Sequence, residues 1–165
     1  MDENVDLFLS LAEIGGIFVA FGALIGIVRG TRADRFLVRG VVHAGLLVIA
    51  AALIPIGLSL YPLEPTTTWR LSSVAFLVLI WATTLSPLRD RAAREDLREQ
   101  VAARRTIIVA LAILGIAIQV PLFFTFVGLF PVYASALYST ALILNLLHAA
   151  LLLSQLVFSQ DAPGD

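Results

Sequence analysis

Five polar side chains stand inside stretches of this sequence that are otherwise apolar: Glu13, Gln119, Tyr138, Asn145 and His148. A carboxyl, a phenol and an imidazole can hold or pass a proton, and two amides can ligate a cation or a small polar solute. The same groups can do something plainer. Between helices in hydrocarbon, such side chains bond across the interface for about 0.6–2 kcal/mol each. Both readings start from one cost, because an ionisable side chain in the middle of a bilayer is penalised by roughly 2.5–3.5 kcal/mol on insertion scales. Glu13 must therefore be protonated, paired or wetted.

Spacing sorts these residues. Tyr138, Ala141, Asn145, His148, Leu152 and Gln155 recur at i, i+3, i+7 and i+10 and onward, so they form one stripe of a helix that is too polar to face lipid. Gln119 falls near the depth of Asn145 if the last two segments run antiparallel. Around Glu13 the sequence is rich in small residues: Ala12, Gly16 and Ala20 make one small-xxx-small column, and Gly22, Gly26 and Gly30 make another. Such columns let helix backbones approach closely in a membrane. Gly16, Ala20 and Ala23 share the face of Glu13, which places the carboxyl on the packed side and predicts a central cluster with Gln119, Tyr138, Asn145 and His148. Pro55 and Pro121 each free a backbone carbonyl and can kink their helices.

Other chemistries find little to stand on. The absence of cysteine removes disulfides, iron–sulfur clusters, thiolate zinc sites and cysteine nucleophiles. His43 and His148 on two helices could in principle ligate one haem. Their expected depths, about 5 Å and about 15 Å from the cytoplasmic ends of their helices by helical rise, argue against it. Gly-x-Ser-x-Gly, His-Glu-x-x-His and the glycine-rich phosphate loop do not occur. Neither an enzyme nor a bound cofactor or metal is expected.

What positions the polar residues is a membrane. Of 165 residues 59% are hydrophobic and 14% charged, against about half and a quarter in a soluble domain. The mean hydropathy is +0.96. The apolar residues come in blocks long enough to cross about 30 Å of hydrocarbon at 1.5 Å per residue. Five such blocks occupy approximately 7–28, 41–60, 71–88, 106–130 and 132–158. The third is the shortest and holds Ser72, Ser73, Thr83, Thr84 and Ser86, whose hydroxyls can bond carbonyls of their own helix. The opening Met1-Asp2-Glu3-Asn4-Val5-Asp6 lacks the basic start of a cleavable signal, so the first block is expected to stay as a span. The expected fold is an all-α transmembrane bundle of five helices, one domain over 1–165 with no soluble module.

All eleven basic residues are arginine, and ten lie between the first and second or the third and fourth blocks. Basic loops stay in the cytoplasm, which puts the N-terminus outside and the C-terminus inside, in a bacterial inner membrane. Tyr61, Trp69 and Tyr133 then fall at outer ends, where amphipathic rings favour the headgroup level. The run Asp90 to Glu99 alternates charge at helical spacing and reads as a solvated helix. Phe130-Pro131-Val132-Tyr133 leaves room only for a tight antiparallel turn. With a net charge of -1 nothing points to nucleic acid. The leading functional expectation is a small conduit or carrier subunit for protons or a small polar solute, its substrate unspecified, working as a homo-oligomer in the lipid bilayer. The alternative is a structural or accessory membrane protein whose polar cluster only orders the bundle.

Overall fold

In lipid every backbone N–H and C=O must be satisfied within the protein, so an apolar block this long can only be a helix. The computed structural model describes residues 2–28, 32–85 and 105–158. It is all-helical in those residues: α1 (Asp2–Val28), α2 (Arg32–Leu58), α3 (Pro65–Leu85), α4 (Arg105–Val127) and α5 (Ala134–Phe158), with a short 3₁₀ turn at Pro131–Tyr133 leading into α5. Each of the five contains an apolar stretch of membrane-spanning length: Val5–Val28, Leu37–Leu58, Pro65–Leu85, Ile108–Val127 and Pro131–Val157. The described residues form a multi-pass membrane bundle of five helices. Residues 29–31 and 86–104, with Gly30 and the Asp90 to Glu99 run among them, lie outside the described residues, while the first arginine-rich loop from Arg32 on belongs to α2.

The third span begins six residues before its expected start. Pro65 is the first residue of α3, a position where its missing N–H costs nothing, and the Thr68 amide closes the first turn on the Glu64 carbonyl at 3.0 Å. Thr66-Thr67-Thr68-Trp69 looks like a polar loop in sequence. In the fold Thr68, Trp69, Ser72 and Ser73 are buried, and Ser72 Oγ donates to the Thr68 carbonyl at 2.8 Å. Trp69, near the start of α3, turns its ring into the bundle. Tyr61 and Tyr133 are exposed.

α5 is the central helix, touching all four others, while α1 rests chiefly on α2. The α1–α2 seam is a backbone-to-backbone approach. A Cβ placed on Gly15 would stand 2.9 Å from the Gly45 carbonyl, and one on Gly45 would stand 2.7 Å from the Gly15 carbonyl. Further along the seam Gly22 packs on Val41 and Val42, and Gly26 on Val38. Near the other end of the bundle four rings interlock. Tyr138 has its ring centroid 6.0 Å from Phe8, 5.8 Å from Trp69 and 5.9 Å from Phe76, which ties α1 and α3 to α5 through offset and edge contacts of the favoured kind.

The turn between α4 and α5 is tight, as the Phe130–Pro131 sequence requires. Gly128 adopts φ 75°. Its amide donates to Thr125 and that of Leu129 to Phe124, the pair of bonds that closes a helix on a left-handed glycine. The Arg70 guanidinium from α3 lies against Gly128, close to the end of α4 where carbonyls are left over and a cation is favoured.

Candidate functional site

The stripe on α5 faces inward as its period requires. Tyr138, Ala141, Asn145 and Leu152 are buried, and His148 and Gln155 are partly covered. Tyr138 Oη donates to the Ala51 carbonyl of α2 at 2.6 Å. That carbonyl is available for a reason written in the sequence. Its partner in an unbroken helix would be the amide of residue 55, and residue 55 is proline. Asn145 Nδ2 reaches the Ala44 carbonyl of α2 at 3.4 Å, near the outer limit for an N–H···O bond. Of the two interhelical bonds the tyrosine's is the strong one.

The remaining members of the expected cluster go elsewhere. Gln119 Nε2 donates to the Gly115 carbonyl of its own helix and lines an open, largely apolar groove with Trp81, Ile116 and Phe123. A second apolar groove, about 540 Å³, runs along Val74, Val78, Trp81 and Phe126. Neither groove includes Glu13, Asn145 or His148. Among the described residues the buried His148 Nδ1 meets no hydrogen-bond partner, and neither does Ser73 Oγ.

Glu13 is not in the cluster. It is exposed on the outer surface of the bundle, as are Ile17, Ala20 and Ala23, and a Cβ on Gly16 would meet nothing within 4 Å. The expected packing face of α1 is therefore corrected. The packed column is Gly15, Gly22 and Gly26, with Gly22 and Gly26 as expected, whereas Gly16 and Ala20 stand on the uncovered side and Ala12 is half-buried. Two adjacent glycines made either face eligible, and the approach of Gly45 selected Gly15. No hydrogen bond or ion pair reaches Glu13 among the described residues.

The depth argument about the two histidines also changes. Ala44 stands opposite Asn145 and Gly40 opposite Leu152, so His43 and His148 lie at neighbouring levels. The reason is that α2 starts already at Arg32 and its apolar span begins at Leu37. By helical rise His43 is then about 9 Å from Leu37 and His148 about 14 Å from Val157, the ends of their spans on that side of the bundle. Direction separates them instead. His43 is exposed and its Nδ1 donates to the Arg39 carbonyl at 2.7 Å, while His148 faces the bundle. Among the described residues no group of three or more His, Asp or Glu side chains could hold a metal ion.

No protein-family model, curated protein or solved structure matches this chain. Its chemistry is read from its own geometry.

Proposed function

We propose that this protein is a structural or accessory component of its membrane, a bundle whose buried polar groups order the helices and do not carry a solute. The observation that supports this reading is the Tyr138–Ala51 bond. The most deeply buried hydroxyl on the polar stripe is spent on a carbonyl that Pro55 releases, at a length typical of a strong O–H···O bond. The weaker Asn145–Ala44 contact serves the same pair of helices. No catalytic role is assigned to any residue. The distribution of arginines supports a bacterial inner membrane, with the N-terminus outside and the C-terminus in the cytoplasm.

A conduit for protons or a small polar solute is the second reading, favoured by the place of Glu13. Its position on the outer surface routes such a pathway between copies of the chain, since the carboxyl does not face the interior of one bundle.

Purified protein in sealed vesicles separates the two. The structural reading expects no proton flux above that of protein-free vesicles under either a pH gradient or a membrane potential. It also expects Tyr138→Phe and Asn145→Leu to lower stability in detergent and leave vesicle permeability unchanged. Flux that depends on the protein and disappears in Glu13→Gln would overturn it in favour of the conduit.

A further inference from the structure

The uncovered face of α1 is the least explained surface of the molecule. Glu13, Gly16, Ile17, Ala20, Leu24 and Ile27 fall at i, i+3, i+4, i+7, i+11 and i+14, one side of a helix. All are exposed except Gly16, which has open space before it. Only 17% of this span is buried, the smallest share of the five. Glu13 is eight residues inside Val5–Val28, about 12 Å below the outer end by helical rise, against a half-thickness of about 15 Å. The register agrees, because Gly15, two residues on, meets Gly45 near the middle of Leu37–Leu58. A carboxyl at that depth cannot be left to hydrocarbon, and among the described residues nothing partners it.

We infer that this face of α1 is where a second copy of the chain docks, the two α1 helices running parallel with their Glu13 carboxyls hydrogen-bonded to each other. The carboxyl group argues for the second copy. In its neutral form it has one donor and one acceptor, so it complements itself. A second copy is the partner certain to present that group at the same depth, because copies in one membrane share their orientation and a two-fold axis along the bilayer normal sets each residue opposite its own counterpart. A partner carrying a cation would have to bring arginine or lysine into the hydrocarbon at similar cost. Geometry agrees with chemistry. Gly16 and Ala20, four residues apart on the same face as Glu13, are the small pair that lets two helices close to the range of a short side chain. The glycines that hold α1 to α2 lie on its other side, so docking does not disturb the fold.

The test uses the full chain in native membranes and exploits its lack of cysteine. Ala20→Cys and Leu24→Cys should form disulfide-linked homodimers on mild oxidation. Ile113→Cys, on the outer surface of α4, should form at least tenfold less. Glu13→Ala introduced beside Ala20→Cys should cut the dimer severalfold, and Glu13→Gln should retain it, since an amide also carries a donor and an acceptor. Gly16→Leu should abolish the dimer yet leave monomer stability in detergent unchanged. Equal cross-linking at Ala20, Leu24 and Ile113, or none at any of them, would overturn the proposal. So would an Ala20→Cys adduct with a chain of different mass, or indifference of the dimer to Glu13→Ala. Vesicle flux is not among the readouts, so this outcome is independent of whether the bundle is structural or a conduit.

Discussion

Tyr138 donates its hydroxyl to the carbonyl of Ala51 across 2.6 Å, replacing the backbone amide that Pro55 cannot offer. One side chain on α5 thereby repairs a break in α2, while its ring holds Phe8 of α1 and Trp69 and Phe76 of α3. Tyr138→Phe keeps the ring contacts and leaves the carbonyl unpaired, at an expected cost of about 1–3 kcal/mol. Pro55→Ala restores an amide donor to that carbonyl. In the Pro55→Ala background, Tyr138→Phe should cost clearly less, which a double-mutant cycle on unfolding in detergent would register as coupling. Additive effects would mean the hydroxyl and the proline act separately.

The glycines of α1 should divide by face. Gly15→Ala and Gly45→Ala set a Cβ against a backbone carbonyl, which has no rotamer to escape through, and overpacking of this kind costs about 1–3 kcal/mol. Gly22→Leu meets Val41 and Val42 and should also destabilise the bundle. Gly16→Ala and Gly57→Ala meet nothing within 4 Å and should leave the detergent-solubilised monomer as stable as wild type. Thermal unfolding of the five variants decides this, and a loss at Gly16 equal to that at Gly15 would contradict the seam described above.

At Gly128 two effects can be told apart. Alanine would meet both a left-handed backbone conformation and the Arg70 guanidinium. The guanidinium ends a flexible side chain and can move aside, whereas the backbone cannot, at about 1–2 kcal/mol. Gly128→Ala should therefore lose about that much stability, and adding Arg70→Ala should recover little of it. Full recovery would show that contact with the arginine, not φ, makes glycine necessary.

Orientation can be read with impermeant thiol reagents on intact cells. Cysteines at Thr31 and Ala92 should be protected and one at Thr66 should label, because ten of the eleven arginines flank the first pair of sites. Labelling of Thr31 and Thr66 from the same side would contradict an N-terminus outside.

The spans were legible because hydrocarbon enforces one rule, an unbroken apolar run of sufficient length, and the five helices obey it. The α5 stripe was legible for a related reason. A helix that places Tyr138, Asn145 and His148 on one side has to turn that side inward. Two things were not legible. Gly15 and Gly16 differ by about 100° around α1, and the sequence of α1 alone does not say which of them a neighbour will choose. With that choice went the place of Glu13. The start of α3 was hidden because three threonines read as a loop, while in the fold the Thr68 and Ser72 hydroxyls bond carbonyls one turn back. Thr68 and Ser72 are apolar enough in this state to be buried beside Trp69.

The backbone contact of Gly15 with Gly45 also orders events during synthesis. α1 and α2 emerge before α3, α4 and α5, and the seam between them needs no atom from those later helices, so this hairpin can form while they are still being made. One deep loose end of it is the Ala51 carbonyl, whose donor lies 87 residues further along. Until α5 arrives that oxygen stays open to any donor in the insertion machinery, and chains cut before Tyr138 would keep it so. The helix that carries Tyr138 is the one that seals the two made before it.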